Sequence, residues 1–154
     1  MTATIRLAVS SDAADLARLH TSSFENGWGE DDFVTWLARK EAFAVVALRE
    51  REAIAFGLAL AAGDDAELLA IATRPDQRRT GLGDRIFCTL NAEAQRRGLE
   101  RWVLEVARNN IPALGLYKSE GFMEIGVRTA YYRQRQGRVD AIVLTRPVGG
   151  QPGP

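Results

Sequence analysis

Residues 68–98 constrain this chain more than any other stretch. An apolar run (Leu68, Leu69, Ala70, Ile71, Ala72) leads into a polar basic loop at 74–80, then Gly81-Leu82-Gly83, then a helical pattern closed by Gly98. A strand that passes through a basic, glycine-containing loop into a helix start presents free backbone N–H groups beside positive charge, which suits it to phosphate. Two common phosphate binders are excluded by the loop itself. No Gly-Lys-Ser/Thr follows Gly81, so the lysine and magnesium-binding hydroxyl of a nucleoside triphosphatase are missing. Ile86 stands where a dinucleotide fingerprint has its third glycine, and the basic loop separates the glycines from the strand.

Charge balance narrows the partners. Twenty Lys and Arg cancel 20 Asp and Glu, against the uniformly basic surface of a nucleic-acid binder, so an anionic ligand has to be met locally. His20 and Cys88 are each the single residue of their type. That excludes an internal disulfide and argues against a Cys/His zinc site or a His-dependent triad, leaving chemistry to Glu, Asp, Tyr, Ser, Lys or Arg and no metal expected. There is no basic-then-apolar leader and no apolar run near the roughly 20 residues of a membrane span. The expectation is a soluble cytoplasmic protein with no membrane or direct nucleic-acid partner. At 154 residues, 46% hydrophobic and 26% charged, the chain suits one domain over 1–147 with a flexible Gly/Pro tail at 148–154.

Around the central stretch the pattern alternates between strand and helix periods. Ile5 and Leu7 read as a short first strand, and Asp12 as the cap of a helix with Ala13, Leu16, Ala17, His20 and Phe24 on one side. Residues 26–29 (Asn-Gly-Trp-Gly) break that helix, and Phe33, Trp36 and Leu37 mark a second one starting near Asp31. His20 reads as a partly buried helix residue, and Trp28 as either a core plug or the wall of a substrate cleft. Residues 43–48 and 54–61 flank a charged turn, and Gly63-Asp64-Asp65 turns into the run at 68, so three strands form an antiparallel meander. A helix over 84–97 buries Ile86, Phe87, Leu90 and Ala94, pairs Glu93 with Arg97, and carries Cys88 as a small core or semi-exposed residue. The strand at 101–106 then implies a crossover and a parallel pair. Residues 122–127 and 139–144 supply the last two strands, joined through 131–138. The fold class is α/β: a mixed, mostly antiparallel twisted sheet of about seven strands with flanking helices and one parallel crossover pair.

Two residues beyond the crossover carry the chemical argument. Glu105 interrupts the apolar run 102–107, where a carboxylate is costly unless it meets water or a partner. It is either a glutamate paired with a neighbour such as Arg108 or a partly desolvated base at the end of a strand beside the phosphate loop. Asn110-Ile111-Pro112 is a helix-start signature, and the helix closes at Gly121. Within it, Tyr117 is either a core aromatic or a proton donor. Tyr131 and Tyr132 are either alternating strand residues or, with Trp28, the walls of an acceptor channel.

Arg78-Arg79-Thr80-Gly81-Leu82-Gly83 resembles the Arg/Gln-x-x-Gly-x-Gly/Ala segment of the GNAT acetyltransferases, and the Asn-x-x-Ala-x-x-Leu-Tyr-x-x-x-Gly-Phe of residues 110–122 resembles the family's second shared segment. Glu105-Val106, Asn110, Tyr117, Gly121-Phe122, Arg128-x-x-Tyr131-Tyr132 and Gly137-Arg138-x-Asp140-Ala141 extend the likeness to RimI-type enzymes, which acetylate the N-terminal α-amine of ribosomal protein S18. It covers 66–144, and more loosely the N-terminal half. Gly27-Trp28-Gly29-Glu30 departs from the usual Pro-Trp-Ser-Glu, and Asp84 stands where many relatives carry a basic or neutral residue.

The resemblance implies a GNAT fold, acetyl-CoA as cofactor, Glu105 as general base and Tyr117 as general acid. It assigns the backbone of Ile71, Ala72 and Thr73 to the acetyl-pantetheine arm, Arg78, Arg79, Thr80, Gly81, Leu82, Gly83 and Asp84 to the pyrophosphate, and Asn110 to the cofactor. The expected acceptor is a protein N-terminus, ribosomal protein S18 first. The alternatives are a small-molecule amine or lysine acceptor, or a non-catalytic acyl-CoA-binding module.

Overall fold

Burial on both faces of three successive strands builds the centre of the molecule. In the computed structural model, which describes residues 2–24, 27–134 and 137–149, β2 (Ala42–Arg49), β3 (Glu52–Ala62) and β4 (Asp65–Thr73) form the expected antiparallel meander. Phe43, Val45 and Ala47 join one core with Ile86, Phe87 and Leu90 of α3 (Leu82–Arg96). Ala44 and Val46 join another with Leu16 and Leu19 of α1 (Ala13–Ser23) and Phe33 of α2 (Glu30–Ala38). A strand covered on both faces has no polar side, hence the near-continuous apolar runs of β2 and β3. Gly57 lets α3 lie close on β3, since a Cβ there would stand 2.7 Å from both Ile86 Cγ2 and Leu90 Cδ1.

Among the described residues seven strands form one sheet in the order β1-β2-β3-β4-β5-β7-β6, where β1 is Thr4–Leu7, β5 Arg101–Ala107, β6 Met123–Gln134 and β7 Gly137–Pro147. Every pairing is antiparallel except β4 with β5. Helix α4 (Ile111–Ser119) follows β5. The mixed, mostly antiparallel sheet with one parallel pair and flanking helices is the fold class the sequence implies. Among the described residues no helix is long and apolar enough to cross a membrane.

Local details differ from the sequence reading for identifiable reasons. Asp12 precedes α1 but makes no side-chain cap there. Its carboxylate instead accepts Arg6 Nη1 and Nη2 at 2.8 and 3.0 Å and the Val9 N–H at 2.7 Å, and the guanidinium holds the carboxyl below its usual range against the opposing effect of burial. Helix α3 begins at Leu82 rather than Asp84, because Gly81 at φ 81° already turns the chain into it. Cys88 is exposed. Tyr131 and Tyr132 belong to β6 itself, which runs longer than expected. Val148 and Gly149, assigned to the tail, are tied down: Val148 packs on the core and donates to Glu100 O at 3.0 Å, and Gly149 N–H reaches Asn91 Oδ1 at 3.1 Å. Residues 150–154 of that tail, like Asn26 of the loop before α2, lie outside the described residues.

Candidate active site

The parallel pair does not stay paired. β4 and β5 are in register only from Asp65 opposite Arg101 to Glu67 opposite Val103. Beyond that, residues 68–71 of β4 and 104–107 of β5 wall a cleft of about 610 Å³. β4 also carries an extra residue, Leu69, between its Leu68–Ala59 and Ala70–Leu58 pairs, a bulge of the kind that bends a strand and breaks its ladder. Strand edges with no neighbouring strand leave backbone donors and acceptors to face the cleft, where an extended ligand can satisfy them.

Glu105 and Tyr117 both line this cleft, together with Ile71, Asn110, Trp28, Tyr132 and His20. The Glu105 side chain is 26% exposed, and its Oε1 accepts Arg128 Nη1 at 2.8 Å. The neighbour expected from sequence, Arg108, is turned to Asp140 instead, with Nε at 3.4 Å from Oδ2. Tyr117 is buried against Phe122, ring centroids 5.6 Å apart. Burial, with a smaller contribution from Tyr132, pushes its phenol above the ordinary value, so the hydroxyl holds its proton throughout the neutral range. Tyr132 donates to the Glu105 carbonyl at 3.0 Å and is pushed up to about 12, by burial first. Asn110 caps α4, its Oδ1 accepting the Ala113 N–H at 3.3 Å, and so fixes the helix that carries Tyr117.

The basic loop lies at the C-terminal end of β4. Arg78 donates from Nε to Thr73 O at 3.2 Å and from Nη2 to Ser23 Oγ at 3.1 Å, which ties the loop to a residue lining the cleft. Arg78, Arg79, Thr80 and Gly81 are exposed, and Thr80 Oγ1 donates back to Gln77 O at 2.7 Å. Gly81 is the N-cap of α3, and among the described residues no side chain caps that end and nothing lies within 4 Å of where its Cβ would stand. A helix start left open in this way beside two exposed arginines fits a diphosphate. Leu82 is buried in the core, and a Cβ on Gly83 would meet Leu116 of α4 at 3.5 Å, so these two residues seat the helix.

Not every residue singled out from sequence meets at the cleft. Ala72 is buried in the second core, and Thr73 pairs with Ala55. Tyr131 is 45% exposed and lies under the Arg128 guanidinium, 3.9 Å from ring centroid to Cζ, rather than in the cleft wall. Asp84 faces Glu120, whose buried carboxyl is raised to about 7, by burial first and then by its hydrogen bond with Asp84, while Arg146 opposes the shift. Trp28 stacks on His20 and also lines the cleft.

Three participants had no reading from sequence: Arg128 as partner of Glu105, the Asn109 Nδ2 to Gln134 Oε1 hydrogen bond of 2.9 Å between two cleft residues, and the Glu120–Asp84 pair. Arg128 stood inside the Arg-x-x-Tyr-Tyr pattern, but nothing in strand alternation sends it across β7.

The model of the acetyltransferase (GNAT) family matches residues 13–122. Over 94 residues the chain is 39% identical to the ribosomal protein bS18-alanine N-acetyltransferase of Escherichia coli (strain K12), a match that covers 61% of this chain and 64% of that relative's length. The crystal structure of the ribosomal-protein-S18-alanine N-acetyltransferase from Escherichia coli superposes with a TM-score of 0.89 at 29% identity, over 97% of this chain and 96% of that one. Arabidopsis thaliana NAA60 in complex with acetyl-CoA gives 0.85 at 16% identity, over 97% and 100%, a likeness of fold.

Proposed function

The chain belongs to the GNAT acetyltransferase family, and on that footing we propose that it transfers an acetyl group from acetyl-CoA to a protein N-terminal α-amine, with the alanine-led N-terminus of ribosomal protein S18 as acceptor. The observation that carries this reading is the parting of β4 from β5 into a cleft lined by Glu105 and Tyr117. Bound there, acetyl-CoA supplies a thioester open to attack by an amine.

Each residue then has a defined task. The β4 backbone at Ile71, where the strand walls the cleft, holds the acetyl-pantetheine arm, Arg78 to Gly81 and the open start of α3 the diphosphate, and Asn110 the cofactor through the start of α4. Glu105 accepts the proton of the acceptor ammonium, directly or through water. An α-amine has an ordinary pKa of about 8, so a carboxylate near neutral pH suffices, whereas a lysine near ~10.4 asks for more. The freed amine attacks the thioester carbonyl and the C–S bond breaks; Tyr117, still protonated because it is buried, delivers a proton to the departing sulfur and regains one as the amide nitrogen sheds its second proton. Trp28 and Tyr132 flank the acceptor, and the Tyr132 hydroxyl, bonded to the Glu105 carbonyl, sets the wall nearest the base.

Incubating the protein with acetyl-CoA and a panel of N-terminal peptides, polyamines and internal-lysine peptides, followed by mass spectrometry, tests the acceptor. The expected result is acetylation of an S18-like, alanine-led N-terminus ahead of all others. Faster acetylation of polyamines or lysines would overturn the acceptor and leave the acetyltransferase. Glu105→Gln is expected to keep acetyl-CoA affinity and lose turnover on the order of 100-fold; normal turnover near neutral pH would remove Glu105 from the chemistry.

A further inference from the structure

The outermost strand, β6, is separated from β5 by β7, yet two of its side chains grip Glu105. Arg128 Nη1 donates to the Glu105 carboxylate at 2.8 Å and Tyr132 Oη to its carbonyl at 3.0 Å. Four residues apart on a regular strand, the two would stand about 13 Å from each other, too far to meet on one residue. The register shows how they converge: Arg128 pairs with Ala141 and Tyr132 with Val139, so a four-residue step on β6 spans a two-residue step on β7. The extra chain is taken up at Ala130, at φ 53°, a left-handed conformation that an alanine adopts only at a cost.

Asp140, the residue between Val139 and Ala141, holds that kink. Its Oδ1 accepts the Ala130 N–H at 2.8 Å, its Oδ2 lies 3.4 Å from Arg108 Nε, and its carbonyl accepts the Arg108 N–H at 2.8 Å, so it also anchors the chain leaving β5. Arg128 is steadied in turn by the face of Tyr131, which meets Tyr132 edge-on at 5.1 Å.

We propose that Asp140 and Arg128 are positioning residues for Glu105: Asp140 holds the Ala130 bulge, and the bulge delivers Arg128 and Tyr132 to the carboxylate and backbone of the base. The inference gives the Arg128, Tyr131, Tyr132 and Asp140 pattern one physical purpose, and it rests on the role of Glu105 proposed above. A carboxylate displaced by about an ångström from its proton path loses on the order of 100-fold in rate without loss of cofactor binding.

The test compares Asp140→Ala, Asp140→Asn, the double variant Asp140→Ala/Ala130→Gly, Arg128→Ala and Arg128→Lys. Asp140→Asn keeps the Oδ1 acceptor and is expected to stay within a fewfold of the parent. Asp140→Ala should lose 10- to 100-fold in kcat with the acetyl-CoA Kd unchanged, and Ala130→Gly should restore much of it, because glycine adopts φ > 0 without help. Arg128→Ala should show the same split between kcat and Kd, with partial recovery in Arg128→Lys. A readout free of turnover is the hydrogen exchange of the Ala130 amide, slow in the parent and Asp140→Asn and fast in Asp140→Ala. Parent-like kcat in both Asp140→Ala and Arg128→Ala, or a loss in Asp140→Ala that Ala130→Gly leaves untouched, would overturn the inference. If Glu105→Gln also turns over normally, the base assignment falls; if it is inactive while those variants are not, only the positioning falls.

Discussion

The imidazole of His20 lies parallel to the indole of Trp28, 6° and 4.6 Å apart, and its Nδ1 accepts the Trp28 backbone N–H at 2.9 Å. That bond requires an unprotonated Nδ1. Phe24 stacks on His20 at 4.3 Å, and Phe33 and Phe56 close round it. A lone histidine on a helix thus turns out to be the post that fixes the glycine-flanked loop beside the cleft.

His20 therefore links stability to pH. Burial lowers it to about 4 from an ordinary 6.5, with Asp32 opposing weakly. Between those values the unfolded chain binds the proton and the folded one does not, so stability is full above pH 6.5 and is lost as pH falls toward 4, by as much as about 3 kcal/mol. Denaturant titrations of the parent and His20→Gln should show the parent losing ground to the variant on going from pH 7 to 4.5. A constant difference would mean that the imidazole titrates freely.

Glu120 tilts the curve the other way. Its folded value of about 7 is above the ordinary 4.5, so the folded state holds a proton that the unfolded chain has already released. Stability from this group is present below pH 4.5 and is lost as pH rises through 7. Glu120→Gln is expected to match the parent near pH 4.5 and to exceed it above pH 7, read from denaturation midpoints. An equal pH dependence in the two proteins would show that neither burial nor Asp84 raises the carboxyl.

Gly81 tests the diphosphate loop. The space around its Cβ position is open, so what excludes other residues is the backbone, held at φ 81°. Gly81→Val cannot hold that turn without strain and is expected to weaken acetyl-CoA binding tenfold or more in calorimetry, with the sheet intact by circular dichroism. Gly81→Asn, which tolerates the left-handed region, should lose much less. Equal losses in both would point to a steric cause rather than a conformational one.

The meander, the crossover helix and the Gly81 loop were legible because each is written in local terms: apolar period, turn residues, glycine. The inward face of α3 at Ile86, Phe87, Leu90 and Ala94 and the Glu93–Arg97 pair, at 2.9 Å, came out as read. What escaped depended on distance across the sheet. The partner of Glu105 comes from β6 and not from the neighbouring Arg108, because a two-residue shift in register, invisible to alternation, carries Arg128 over β7. Asp12 looked like a cap, and only the fold brings Arg6 against it. Nothing about Glu120, one residue before a helix-closing glycine, announces that it is buried against Asp84.

The two adjacent tyrosines are expected to differ in their effect on acceptor choice. Tyr132 lines the cleft, is half-buried and bonds the Glu105 carbonyl, while Tyr131 is 45% exposed and lies beneath Arg128. A peptide N-terminus has to be seated by an extended backbone against a stiff wall, a constraint that a free amine lacks. Tyr132→Ala is expected to cut kcat/KM for the peptide by about tenfold or more while acetyl-CoA binding stays the same, since a truncated anchor in a desolvated site costs more than 1 kcal/mol. Tyr131→Ala, which removes only the surface under the arginine, should cost a few-fold. Tyr132→Phe isolates the hydroxyl: the wall remains and the bond to the carbonyl goes, so KM should hold while kcat falls. If Tyr131→Ala proves the more damaging of the two alanine variants for the peptide, the acceptor lies over the outer face of β6 and not in the cleft mouth.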